Sequence, residues 1–274
     1  MSITTIQATQ IGSHALHYLS EGTRDGSVVS VFRHGASVLF KGGEASAFIV
    51  LQTHEIPLHP WAIETCELAS PQVGGNVRME PKRSQLQIGD EIIDLSHATV
   101  HALTMKPWTE HEISHVQGRI PLIKELLAKE FAQRPRDLFY REIDETLKRW
   151  RQSGCADALL GLIGLGTGST PSGDDLIVGM LAAFATLGRT TLAQLLQTPE
   201  LRQRTHPASA QMIEAAMNGA FSHVLLDLAH HLGQAASTGK HIQQCVKIVA
   251  EQGATSGAAI LRGFSAALST EFEI

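Results

Sequence analysis

Short runs rich in β-branched and apolar residues, separated by turn residues, fill the first hundred positions. They are Val28–Arg33, Ser37–Lys41, Ala47–Gln52, Val77–Glu80, Gln85–Ile88 and Glu91–Leu95. Breaks at His34-Gly35, Gly42-Gly43, Gly74-Gly75-Asn76 and Gly89-Asp90 predict a compact antiparallel β unit, a barrel or a folded sheet. The texture changes near residue 107. Beyond it, apolar residues recur at helical spacing: Leu138, Ile143, Leu147 and Trp150; Leu192, Leu195 and Leu196; Met212, Ala215, Ala216 and Gly219; Val224, Leu225 and Leu228. Alanine and glycine are dense from Gly161 onward, which predicts helices packed closely through small side chains. The expected architecture is α+β, with a β-rich domain over 1–107 and an all-helical domain over 108–274.

Composition narrows the function classes. The chain has 274 residues, 43% hydrophobic and only 18% charged, which excludes a disordered chain. A net charge of −5 gives no basic footprint for nucleic acid. The N-terminal MSITTIQATQ lacks the basic and apolar segments of a secretory signal. The most apolar stretches, Ala158–Leu165 and Leu176–Leu187, are separated by Asp174 and Asp175, and neither reaches the roughly 20 residues of a membrane span. Cys66, Cys155 and Cys245 form no CxxC pair, so reduced thiols in a cytoplasmic protein are expected.

The 14 histidines invite a metal reading, and His111-Glu112-Ile113-Ser114-His115 matches the H-E-x-x-H zinc-hydrolase pattern. Its surroundings point the other way. The segment lies between Pro107 and Gly118, with Pro121 behind it, and Thr109 and Glu112 have capping-box spacing. A helix start is therefore expected there, and no zinc. His97 and His101 share the i, i+4 spacing without a carboxylate, and the adjacent His230 and His231 cannot share a helix face.

The sharpest feature is Gly164-Leu165-Gly166-Thr167-Gly168-Ser169-Thr170-Pro171-Ser172-Gly173-Asp174-Asp175. Its glycines permit positive φ and close backbone approach, and three hydroxyls plus helix-start N–H groups suit an oxyanion. It lacks the lysine of a P-loop, and no strand precedes it as in a dinucleotide fingerprint. Ser172 as N-cap and Asp175 three residues on would also make a capping box. Two carboxylates beside a bare phosphate repel it. Asp174 and Asp175 should therefore either hold Mg²⁺ or accept hydrogen bonds from an amide, and an acyl phosphate carrying an amino group would satisfy both halves. Gly253-Ala254-Thr255-Ser256-Gly257, followed by Leu261-Arg262-Gly263, is a second and weaker Gly/hydroxyl element, which could face the first across a cleft.

The two elements together resemble the AllH-type family. Gly164–Asp175, with Leu176 and Gly179 after it, is similar to that family's G-x-G-x-G-x-T-P-S-x-D-D signature, and Gly253–Gly257 with Leu261 and Gly263 to its C-terminal signature. Ser209 and Gly219 stand where the family has a small or hydroxyl residue. The resemblance spans roughly residues 155–270. It implies a subunit of an oxamate carbamoyltransferase-like complex of allantoin degradation, working beside acyl-CoA-synthetase-like subunits. Thr167 and Ser169 replace a Pro and a Leu common in relatives, and Ala254 and Ala259 stand where a His and an Asp are expected.

Two expectations follow. In the first, the chain is a carbamoyltransferase subunit. Gly166, Thr167, Gly168, Ser169, Thr170, Ser172 and Gly173, with Thr255, Ser256, Gly257 and Arg262 opposite, would bind carbamoyl phosphate or a related acyl phosphate, and Asp174 and Asp175 would act on it, with Mg²⁺ or by orienting the amide. In the second, it is a non-catalytic assembly or regulatory partner of an acyl-CoA-synthetase-like protein, a reading that Ala254 and Ala259 favour.

Overall fold

The structure is a computed structural model that describes residues 4–42, 46–68, 70–132 and 139–272. It divides into two compact units, Met1–Leu103 and Thr104–Ile274.

The first unit is a barrel. Strands β1 (Thr4–Gly12), β2 (Arg24–Phe32), β3 (Gly35–Lys41), β4 (Ala47–Gln52), β5 (Ala62–Thr65), β6 (Asn76–Glu80), β7 (Gln85–Ile88), β8 (Glu91–Asp94) and β9 (Thr99–His101) run in the order β5-β4-β3-β2-β6-β7-β8-β1-β9. Pairing of β1 with β5 closes eight of them. Closure leaves no open sheet edge around the ring. Val38, Phe40, Ile49, Leu51, Ile63 and Leu86 are wholly buried inside. One helix, α1 (Ser13–Ser20), adds Ala15, Tyr18 and Leu19 to this core.

The barrel is mixed rather than antiparallel. Strand β1 runs parallel to β8 over Thr4–Gln7 and then parallel to β9 over Gln10–Gly12, and β4 runs parallel to β5. The hydrophobic pattern does not announce β1, β5 or β9. In β1 the inward residues Ile6 and Ala8 give way to Ile11 because a bulge between Ala8 and Gln10 shifts the register by one. In β5 all four residues are buried, so nothing alternates; its Glu64 accepts from Thr9 Oγ1 at 2.8 Å and Gln10 Nε2 at 2.7 Å. The expected turn at Gly42-Gly43 lies partly outside the described residues, as does Leu138.

The second unit is helical: α2 (Glu110–Ala132), α3 (Tyr140–Ser153), α4 (Ser172–Thr186), α5 (Thr191–Leu195), α6 (Leu201–Arg204), α7 (Pro207–Met217), α8 (His223–Gly233), α9 (Gly239–Ala250) and α10 (Ser256–Glu271). Among the described residues no helix is long and apolar enough to cross a membrane. Helix α4 is the axis of the unit, buried from Ser172 through Ala183. It crosses α10 at a reciprocal pair of glycines. A Cβ on Gly179 would sit 1.9 Å from the Ile260 carbonyl oxygen, and one on Gly263 would sit 2.0 Å from that of Leu176. The two backbones touch there, as the Gly/Ala density predicts.

Helix α2 starts where the capping-box spacing predicts and runs 23 residues straight through Pro121. Pro121 cannot donate to the carbonyl four residues back. Gln117, Gly118 and Pro121 are all exposed, so water can take that carbonyl and the helix survives.

Candidate functional site

The glycine-rich segment is the turn that feeds α4. A 3-10 segment, Ala156–Leu162, runs into it, and Leu165 N–H closes onto Leu162 C=O at 3.0 Å. Gly166 has φ +135°, and a Cβ there would lie 2.5 Å from the Ser172 nitrogen, so only glycine fits. Thr167, Gly168 and Ser169 form the exposed tip. Within the described residues the backbone N–H groups of residues 166–170 make no hydrogen bond, nor do the hydroxyls of Thr167 and Ser169.

The helix starts one residue earlier than the capping pattern predicts. Pro171 is the N-cap, and Ser172 is already inside the first turn and buried, so no Ser172–Asp175 capping box forms. Two of the expected anion-binding N–H groups are spent at home: Gly173 N–H donates to Leu165 C=O at 2.8 Å, and Asp174 N–H to Pro171 C=O at 2.9 Å. Gly257 N–H, in α10, likewise donates to Gln252 C=O at 2.9 Å. Those three N–H groups are therefore not free for a ligand.

The two adjacent carboxyls, both 0% exposed, have opposite surroundings. Asp174 is fully engaged. Its Oδ1 accepts from Gly164 N–H at 2.7 Å; its Oδ2 accepts from Ser209 Oγ at 2.6 Å and from Thr205 Oγ1. It therefore ties the entry of the loop to the segment before α7 and to α7 itself. Ser209, flagged in the sequence only as a small hydroxyl position, is one of its anchors; Thr205 was not foreseen, and only the spatial return of that segment reveals it.

Asp175 has no hydrogen bond to either carboxyl oxygen, and both oxygens are buried. Burial pushes its pKa well above the ordinary carboxylate range, and Asp174 beside it pushes the same way. The Ser256 hydroxyl nearby acts in the opposite sense, and it lies 3.0 Å from Thr170 Oγ1. A buried, unpartnered carboxyl is costly, and natural proteins keep few of them.

The Thr170–Ser256 pair is where the two Gly/hydroxyl elements meet, 86 residues apart in sequence. Thr255 is the N-cap of α10, and its side chain makes no capping bond. Arg262 does not join them. Its guanidinium is engaged with α3, bonded to Asp144 and stacked 4.2 Å over the Tyr140 ring, and burial lowers its pKa. Arg262, expected to bind substrate opposite the loop, instead joins α10 to α3.

The H-E-x-x-H segment forms the first two turns of α2. Glu112 closes a capping box: Thr109 N–H and Thr109 Oγ1 donate to its Oε2 at 2.8 and 2.9 Å, and Glu112 N–H donates to Thr109 Oγ1 at 3.3 Å. Its Oε1 accepts from Gln234 Nε2 at 2.9 Å. Those bonds hold its pKa below the usual glutamate value.

No curated protein and no solved structure matches the chain. A family model does match, and its span contains the whole junction just described, from the loop through Thr205 and Ser209 to Ser256 and Gly263. Residues 162–268 match the family described as oxamate carbamoyltransferase subunit AllH.

Proposed function

We propose that the chain is a subunit of a carbamoyltransferase-type complex and takes carbamoyl phosphate, or a related acyl phosphate, at the Gly164–Thr170 loop. The observation that carries this reading is the unpartnered Asp175 carboxyl, adjacent to the hydroxyl pair that joins the two signature elements. The free N–H groups of 166–170 and the hydroxyls of Thr167 and Ser169 are donors for a phosphate. Asp175 is the acceptor that an amide N–H₂ lacks elsewhere in the loop. The repulsion that two carboxylates would exert on phosphate is eased on both sides: the Asp174 oxygens are turned onto three internal donors, and burial favours the neutral form of Asp175. Mg²⁺ fits less well, because it prefers several oxygen ligands and Asp174 is already occupied. Asp174 is then a positioning residue, and Asp175 the one that meets substrate.

Carbamoyl transfer in such a site depends on positioning and on stabilising charge at the phosphate, not on a nucleophilic side chain. With Arg262 engaged on α3, added positive charge would come from acyl-CoA-synthetase-like partner subunits. A ³¹P NMR titration with carbamoyl phosphate, on the chain alone and with those partners, tests the reading. Saturable shifts that Asp175→Leu, which removes the acceptor, weakens at unchanged or higher melting temperature support it; absence of binding in both preparations overturns it. A specific observation favours a second reading, a non-catalytic assembly subunit: Asp174, one of the two signature acids, is wholly consumed by internal hydrogen bonds. In that case Asp175→Leu leaves activity intact, and assembly alone depends on the loop.

A further inference from the structure

The H-E-x-x-H segment is not absorbed by the loop's function, and its geometry carries a separate conclusion. We propose that His111 and His115 form a two-point site for a divalent transition-metal ion of the imidazole-preferring class, Zn²⁺ or Ni²⁺ rather than Mg²⁺. The two Nε2 atoms lie 3.1 Å apart, with ring centroids at 4.5 Å and ring planes at 78°. One turn of α2 places the rings on one side of the helix. An ion about 2.0–2.1 Å from each nitrogen would subtend an N–metal–N angle of roughly 100°, between the octahedral and tetrahedral values. Both rings would then be neutral with the proton on Nδ1, so the ion displaces whatever proton the two Nε2 atoms share.

The same structure says what this site is not. A zinc hydrolase needs the intervening glutamate as base, and here Glu112 is bound to Thr109 and Gln234. Among the described residues no group of three His, Cys, Asp or Glu is placed to hold a metal. The remaining coordination positions therefore fall to water or to an incoming donor, and the site is open and exchangeable. Imidazole ligands and the absence of a carboxylate select against Mg²⁺.

The test is a titration of the metal-free full chain with Zn²⁺, Ni²⁺ and, as control, Mg²⁺, followed through the imidazole resonances of the histidines. His111→Gln and His115→Gln serve as variants. His111 is exposed and the pair lies at the helix surface, so both variants should fold, which far-UV circular dichroism checks. Expected is one equivalent of Zn²⁺ or Ni²⁺ perturbing both rings together, lost in either variant, with no response to Mg²⁺. The proposal is overturned if both rings stay silent, if either variant keeps the bound equivalent, or if Mg²⁺ acts equally well.

Discussion

The starts of α4 and α2 look alike in sequence and behave oppositely in the structure. Each begins after a proline or threonine, carries acids in its first turn, and offers a capping-box spacing. At α2 the box forms, the glutamate is satisfied three times over, and the surroundings are wet. At α4 the box fails because Ser172 lies inside the helix; one acid is consumed by the fold and the other is buried with nothing to bond. Burial decides the difference. A capping carboxylate in water is a small stabilising ornament, whereas the same group sealed under packed helices must be fully answered or serve a ligand.

The largest expected effect tests the consumed acid. Asp174→Ala leaves Gly164 N–H, Thr205 Oγ1 and Ser209 Oγ without their acceptor, in a region with little access to water. A loss on the order of 3 kcal/mol or more is expected, since hydrogen bonds to a buried acceptor are expensive to strand. Urea denaturation measures it. A loss below about 1 kcal/mol would break the contrast, placing Asp174 among ordinary helix-start acids.

The next effect has the opposite sign. Asp175→Asn removes a group whose ionised form burial opposes and which no hydrogen bond supports, so stability at pH 7 should rise, on the order of 1 kcal/mol. The pH dependence follows from the direction of the shift. The folded pKa lies above the ordinary aspartate value, so the native state retains a proton that the unfolded state releases. Stability from this group is therefore greatest in acid and falls as pH rises from about 4 through the folded pKa. Asp175→Asn should flatten that slope, and an unchanged slope would show the carboxyl to be partnered after all.

Legibility in the sequence tracked the same division. The two-part architecture, the Gly/Ala-packed helices and the position of the loop could be read from periodicity and glycine density, because those are repeated signals. The bulge in β1, the four buried residues of β5 and the passage of α2 through Pro121 could not, because each depends on what lies beside the strand or helix. The loop's chemistry was half legible. Its glycines and hydroxyls stood out, but Thr205 and the division of labour between Asp174 and Asp175 are set by contacts 31 to 35 residues away. Arg262 misled for the same reason: its partner, Asp144, is 118 residues distant.

The smallest effect closes the contrast from the other side. Glu112→Ala removes the acceptor of Thr109 N–H, Thr109 Oγ1 and Gln234 Nε2, so it removes more than a bare cap does. Water can replace it at an exposed helix start, which limits the cost to about 1 kcal/mol. Its pH dependence should mirror that of Asp175. The hydrogen bonds lower the Glu112 pKa below the ordinary glutamate value, so its contribution is present above that value and is lost as pH falls through the folded pKa. Acid should therefore erase the difference between Glu112→Ala and the parent chain while leaving the Asp175→Asn difference smallest where the parent's carboxyl is fully protonated. If instead Glu112→Ala cost as much as Asp174→Ala, the start of α2 would have to be a buried junction like that of α4, and solvent access would not be what separates the two.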